Sequence, residues 1–299
     1  MSPFCAAVDW GTSSFRLWLL HRDGSILAER RTADGMMAAR ETGFAEVLEH
    51  RLAEVGAAPD LPVVVCGMAG AKHGWIEAPY LDTPANLAEL ATQAVTPAHP
   101  GRDVRILPGI AQRDAAFPDV MRGEETQLLG LAAEGTRSGL ACLPGTHSKW
   151  AVLREGRVES FSTFMTGEMF AALSGHTILR LSTEGEASPD DPTFLAAVRE
   201  AATSPAAIAN QLFAIRAGAL LGFPARGAAG LSGALIGLEL VGVAIRHSDA
   251  RDEVVLVSAG RLGDLYRSAL ADLGFTVRTA DADALVRRGL LSAALALWG

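Results

Sequence analysis

Val8-Asp9-Trp10-Gly11-Thr12-Ser13-Ser14-Phe15-Arg16-Leu17-Trp18 reads as a strand ending in a carboxylate, a turn of glycine and hydroxyls, and a second strand. Beyond it, Asp23-Gly24 separates Phe15 to Leu20 from Ile26 to Arg31, and an Asp-Gly between two β-prone runs is a strong hairpin signal. The chain therefore opens on an antiparallel meander of three strands. The same order returns at Leu140 to Leu143, Gly145-Thr146-His147-Ser148, Trp150 to Arg154, Glu155-Gly156 and Arg157 to Phe161. A solenoid repeat would recur many times; one recurrence about half a chain later predicts duplicated halves facing one another across a cleft.

Between and after the copies the pattern is mixed α/β. Phe44, Val47, Leu48 and Leu52 recur at helical spacing, and Val63 to Cys66 is a short buried strand ending in Gly67. A third glycine turn, Ser258-Ala259-Gly260-Arg261-Leu262-Gly263, follows the strand Glu253 to Val257 and leads into an amphipathic helix. Asp281 to Trp298 reads as a closing helix with an acidic start. Ala187 to Pro192 reads as a loop. Leu231 to Ile245, broken by Glu239 and by Gly233, Gly237 and Gly242, is too short to span a membrane and predicts a closely packed core helix.

With 299 residues, 49% of them apolar and 20% charged, the chain is expected to fold around a sizeable core. A net charge of −8 argues against a general nucleic-acid or anionic-membrane binder. Cys5, Cys66 and Cys142 are an odd set with no C-x-x-C pair, matching neither a disulfide framework nor a zinc ribbon. The opening residues lack a basic segment and reach Asp9 too soon for a secretion signal, so a cytoplasmic location is expected.

A glycine and hydroxyl turn between strands leaves backbone N–H groups unpaired at its tip, which suits a phosphate. One such turn is usually only a turn, but two in equivalent places suggest a grip on the β- and γ-phosphates of a nucleotide. The Gly260 turn would supply the close backbone approach that a base or ribose needs. Asp9 stands where a carboxylate holds Mg²⁺ against phosphate oxygens; the plain alternative is an Asp bonding its own turn. Arg16 is a candidate for stabilising the transferring phosphoryl group, or a solvated strand arginine. The P-loop, Rossmann and zincin signatures are missing from the chain.

Asp9-x-Gly11-Thr12-Ser13-Ser14, Gly145-Thr146-His147-Ser148-Lys149 and Ser258-Ala259-Gly260-Arg261 resemble the phosphate 1, phosphate 2 and adenosine motifs of the acetate and sugar kinase, heat-shock ATPase and actin superfamily. Gly67-Met68-Ala69-Gly70 and Ala284 to Ala294 fall where its two connecting segments belong. Four longer blocks, Cys66 to Tyr80, Val120 to Gln127, Leu143 to Trp150 and Ser162 to Glu168, are similar to those of the 2-dehydro-3-deoxygalactonokinase family. The chain departs from the superfamily pattern at Ala259-Gly260, where a Gly-Gly pair is usual.

The resemblance implies two ribonuclease-H-like (actin-like ATPase) lobes around a central cleft. It divides them as 1–108, completed by helix 284–299, and 109–283. It also implies ATP and Mg²⁺ as cofactors and phosphorylation of the 6-hydroxyl of 2-dehydro-3-deoxy-D-galactonate. Gly11, Thr12, Ser13, Ser14, Gly145, Thr146, Gly260, Arg261 and Gly263 would then contact ATP, and Asp9 the metal. Gly123-Glu124 occupies the place of a Gly-Asp that supplies the catalytic base, making Glu124 the candidate and Glu125 the reserve; two acids in a first helical turn also simply favour the helix dipole. Lys72, His147 and Lys149 are the basic candidates for the substrate carboxylate or the phosphates. Trp75 would pack on the sugar chain or in the core, and Glu168 would accept substrate hydroxyls or cap a helix. The partner is a small sugar acid, with no nucleic acid and no membrane, and a homodimer is left open. Two alternatives remain: a kinase of this fold for another aldonate or ketose, and a non-metabolic actin-like ATPase.

Overall fold

Strand β1 (Cys5–Trp10) is buried at every position, as a continuous apolar run covered on both faces must be. It lies at the centre of the first of three sheets in the computed structural model, which describes residues 2–99, 101–247 and 253–299. In chain order the elements up to the repeat are β1, β2 (Phe15–Leu20), β3 (Ile26–Thr32), α1 (Met36–Thr42), α2 (Phe44–Glu54), β4 (Val63–Gly67), β5 (Tyr80–Asp82), β6 (Ala85–Asn86), β7 (Val104–Ile106), β8 (Gly109–Gln112), β9 (Asp119–Met121) and α3 (Glu124–Ala133). Then come β10 (Gly139–Leu143), β11 (Ser148–Arg154), β12 (Arg157–Phe164), α4 (Thr166–His176), α5 (Pro192–Thr203), α6 (Ile208–Leu220), α7 (Gly227–Arg246), β13 (Val254–Ser258), α8 (Gly260–Asp272), β14 (Val277–Asp281) and α9 (Ala282–Trp298).

The chain divides into two units, the first comprising Met1–Ser138, Leu153–Ser160 and Ala282–Gly299, the second Gly139–Val152 and Phe161–Asp281. In the first, the sheet order is β3-β2-β1-β4-β7, with β1 antiparallel to β2 and parallel to β4. In the second sheet β12-β11-β10-β13-β14 repeats that order, and β10 again runs parallel to its neighbour β13. The duplication read from the two turns is thus a duplication of ribonuclease-H-like sheet topology.

The division expected at residue 108 differs from this one. Gly109–Ser138 goes with the first unit because α3 lies against α9. The helices touch backbone to backbone: a Cβ on Gly289 would run into the carbonyl of Thr126, and one on Gly130 into that of Leu285. The tip of the β11–β12 hairpin also belongs there, where Arg157 and Val158 pair with β6.

In the second unit α7 is the central helix, and it is longer than the sequence reading allowed. It runs for 20 residues, 18 of which average a mean hydropathy of 1.9, so it is long and apolar enough to cross a membrane. It is instead a core helix. A Cβ on Gly237 would come within 2.5 Å of the Val198 carbonyl, so the glycines of α7 are the notch in which α5 rests. Asp191 caps α5 by accepting the amide of Thr193 at 2.8 Å, which ends the predicted loop at Pro192. The third glycine turn is also shorter than predicted: α8 begins at Gly260 itself, so Arg261 to Gly263 are its first turn.

Candidate active site

In the first unit the chemistry gathers at the end of β1. The strand register places Asp9 opposite Arg16, and Arg16 opposite Arg31, so the three form a row across β1, β2 and β3. Arg16 binds Asp9 at 2.5 Å and reaches Asp283, in the first turn of α9, also at 2.5 Å; Arg31 holds the other oxygen of Asp283 at 2.8 Å. The acidic start of α9 is therefore the counter-charge of this arginine pair. On the other side of β1, the Cys66 thiol donates to Asp9 Oδ1 at 3.8 Å. Burial pushes the Asp9 carboxyl up from its ordinary range; Arg16 draws it back, while the charges of Asp283 and Glu124 push it further up.

Glu124 owes its nearness to two glycines. A Cβ on Gly67 would lie 2.6 Å from the Trp10 carbonyl and 3.5 Å from Asp9 Oδ1, and one on Gly123 would lie 3.6 Å from Gly67 Cα. The start of α3 thus abuts the end of β4 beside Asp9. Glu124 accepts the amide of Arg122 at 3.2 Å. Glu125 is turned inward, 1% exposed, and both its oxygens accept the Gly123 amide, at 2.9 and 2.7 Å. Burial, then the charge of Glu124, raises the Glu125 carboxyl to about 7. The two acids have separated, one closing the helix start and the other near Asp9.

Gly11 to Ser14 form the expected turn, closed by Gly11 N–H donating to the Ser14 carbonyl at 2.8 Å, with Thr12, Ser13 and Ser14 exposed. The start of α1 backs it: Met37 N–H donates to the Thr12 carbonyl at 3.2 Å, and a Cβ on Gly35 would lie 2.5 Å from Ser13 Cα. Lys72 is exposed on the loop beyond Gly70. Trp75, for which sugar contact and core packing were both open, is partly buried and packs against the core cluster, stacked on Phe44 at 6.1 Å and edge-on to Trp10 at 6.2 Å.

The second unit repeats the arrangement. Glu168 N–H, in the first turn of α4, donates to the Thr146 carbonyl at 3.0 Å, and a Cβ on Gly167 would lie 2.5 Å from the Gly145 carbonyl. The Glu168 side chain meets His147 Nε2 at 2.5 Å, both groups being exposed. Lys149 is 5% exposed and donates to the His147 carbonyl at 3.4 Å, bracing the turn from beneath.

Beside that turn lies a cavity of about 400 Å³, mostly apolar, lined by Gly145, Gly167, Phe170, Ile236, Arg261 and Leu262 among others. Its volume is in the range of small-ligand sites. Arg261 anchors the segment over it, donating to the Ala187 carbonyl at 2.8 and 2.5 Å and pairing with Glu186. Gly260 and Gly263 line a second cavity of about 370 Å³ with Ser258 and Asp281. Gly145 and Arg261 thus share one cavity, while Gly260 and Gly263 line the other. Sequence reading missed the contribution of α4 and α7 to the larger cavity, whose apolar residues have no motif. It also missed Asp283, which showed only as an acid at a helix start.

No group of three or more His, Cys, Asp or Glu among the described residues could hold a metal by itself. The donor set around Asp9 nevertheless suits Mg²⁺ arriving with phosphates. Asp9, Glu124 and Asp283 carry three negative charges against two on Arg16 and Arg31, and Mg²⁺ normally takes one or two carboxylates plus phosphate and water.

Residues 9–293 match the family model described as 2-keto-3-deoxy-galactonokinase. A Rhizobium meliloti (strain 1021) protein with the provisional name 2-dehydro-3-deoxygalactonokinase is 54% identical, covering 99% of this chain and 98% of its own. The Escherichia coli (strain K12) 2-dehydro-3-deoxygalactonokinase is 33% identical, covering 97% of each. A crystal structure from Sinorhizobium meliloti, provisionally titled as the same kinase, superposes with a TM-score of 0.95 at 52% identity over 99% of both chains. The Acidaminococcus fermentans (R)-2-hydroxyglutaryl-CoA dehydratase component A, at 13% identity and TM-score 0.53 over 98% of this chain and 97% of its own, shares the actin-like ATPase fold alone. The chain is a sugar-acid kinase phosphotransferase and belongs to the 2-keto-3-deoxy-galactonokinase family.

Proposed function

We propose that this chain transfers the γ-phosphoryl group of ATP to the 6-hydroxyl of 2-dehydro-3-deoxy-D-galactonate in the cytoplasm. The observation that carries the nucleotide part is the cavity of the second unit, whose wall joins Gly145 of the glycine-threonine turn to Arg261 of the strand-to-helix turn. Its apolar lining suits an adenine ring, and the adjoining turn offers backbone N–H groups and the exposed Thr146 to the phosphates. The Gly11 to Ser14 turn, backed in the same way, is assigned to the phosphate chain as well. Three free, buried cysteines agree with a reducing compartment.

In the reaction the substrate hydroxyl oxygen bonds to the γ-phosphorus, the bond to the β–γ bridging oxygen breaks, and ADP leaves with the electron pair. The hydroxyl proton passes to Glu124, whose neighbour Glu125 is committed to the Gly123 amide. Asp9 would hold Mg²⁺, which screens phosphate charge when bound. Arg16, paired with Asp9 and Asp283, keeps that carboxylate oriented and supplies positive charge toward the phosphates. Phosphoryl transfer relies mainly on such positioning and electrostatics. Lys72, His147 and Lys149 are assigned to the anionic groups of substrate and nucleotide, with Lys149 acting by bracing the turn and Glu168 by holding His147.

A coupled ADP-release assay against a panel of sugar acids tests the reading. Turnover is expected with 2-dehydro-3-deoxy-D-galactonate in excess of its gluconate epimer at carbon 4. ATP hydrolysis unstimulated by any sugar acid would overturn it.

A further inference from the structure

One carboxylate in the core of the second unit is used by neither turn and has no part in the chemistry above. Glu239, in the middle of α7, is 2% exposed. Its Oε1 accepts Trp150 Nε1–H of β11 at 2.7 Å, and its Oε2 accepts the Tyr266 hydroxyl of α8 at 2.7 Å and the Thr166 hydroxyl at the start of α4. The Ser148 hydroxyl lies 2.7 Å from Tyr266 Oη and joins the network. Three elements, β11, α4 and α8, therefore close on a single side chain of α7.

Those elements frame the nucleotide cavity. Thr166 and Tyr266 are part of its lining, Ser148 ends the Gly145 to Ser148 turn, and α4 is the helix whose Glu168 amide ties down Thr146. Each of these partners can donate to the carboxylate, so an ionised Glu239 is satisfied at both oxygens. Burial raises this carboxyl from its ordinary value, and the hydrogen bonds from Thr166, Trp150 and Tyr266 oppose that rise.

We propose that Glu239 is a positioning residue for ATP: it sets the mutual placement of the phosphate turn, the start of α4 and the cavity face of α8. The inference rests on the reading of the cavity as the nucleotide site.

The test is steady-state kinetics of Glu239→Gln, Tyr266→Phe and Leu262→Trp, with ATP and the sugar acid varied separately. Gln keeps the volume but turns one accepting oxygen into an NH₂ donor, so at least one of the hydrogen bonds donated to Glu239 must be re-aimed. Its KM for ATP should rise at least about tenfold, with the KM for the sugar acid within about twofold of wild type. Glu239→Asp should recover part of the loss. Should Glu239→Gln fail to fold, Tyr266→Phe replaces it, with an expected rise in ATP KM of about three- to tenfold. Leu262→Trp, on a partly exposed residue of the lining, narrows the cavity independently of the network. If Leu262→Trp raises the ATP KM while folded Glu239→Gln and Tyr266→Phe leave it unchanged, the inference falls and the cavity reading stands. If all three leave it unchanged, both fall.

Discussion

The carbonyl of Thr146 accepts the amide of Glu168 at 3.0 Å, so the tip of a phosphate-type turn is held by the first turn of a helix. The first unit contains the same device in Thr12 and Met37, at 3.2 Å. In both, a glycine just before the donor lets helix and turn approach closely: Gly167 in one, Gly35 in the other. Gly167→Ala would put a methyl group 2.5 Å from the Gly145 carbonyl and 2.8 Å from Thr146 Cα. Overpacking of this kind costs about 1–3 kcal/mol. The turn must shift, and we expect the ATP KM to rise by at least about tenfold in steady-state kinetics while the sugar-acid KM stays near wild type.

Glu124→Gln keeps the size and the oxygen that accepts the Arg122 amide but removes the base. The turnover number should fall at least about tenfold, within the range typical of general-base loss, with ATP affinity by calorimetry unchanged. Unchanged turnover would remove Glu124 from that role.

The buried acid next to it predicts a pH effect on stability. Burial raises the Glu125 carboxyl to about 7 in the folded chain from its ordinary 4.5, so between those pH values the folded state binds more protons than the unfolded one. Stability from this group is therefore present below about pH 4.5 and is lost as pH rises to about 7. The full difference is on the order of 3 kcal/mol. Glu125→Gln, which still accepts the Gly123 amide, should flatten this loss: its gain in Tm over wild type should be larger at pH 7.5 than at pH 5.

Asp9→Asn separates function from stability. The carboxylate is buried among Asp283 and Glu124, whose repulsion and the cost of desolvation work against its charge, while Arg16 favours it. Neutralising it should not lower stability to chemical denaturation, since burial and the neighbouring acids outweigh Arg16 and already oppose the charge. Turnover should drop by about a hundredfold or more, with a raised Mg²⁺ requirement, because the carboxylate toward the phosphates is gone. Turnover near wild type at ordinary Mg²⁺ would refute the metal assignment.

The strands of the two duplicated meanders were legible because they are apolar runs punctuated by Asp-Gly or Glu-Gly, signals carried by adjacent residues. The start of α8 was not, because a glycine at positive φ reads as a turn and here also begins a helix. The length of α7 was underread because Ala228 to Gly230 are small and weakly apolar yet pack as core. Glu239 stood out as an acid in an apolar run, but its partners come 27, 73 and 89 residues away, so only the tertiary fold gives it a meaning. Likewise the cross-strand row of Asp9, Arg16 and Arg31 follows from register, whereas Asp283 joins it from 267 residues beyond Arg16.

Helix α9 is the partner of α3 in the first unit, though the whole second unit is encoded between them. A ribosome making this chain must therefore finish the second unit before the first can bury α3, whose leading residue is Glu124. During that interval the apolar face of α3 is left for a chaperone or for misassembly, and the carboxylate we propose as the base reaches its place late in the chain's own synthesis.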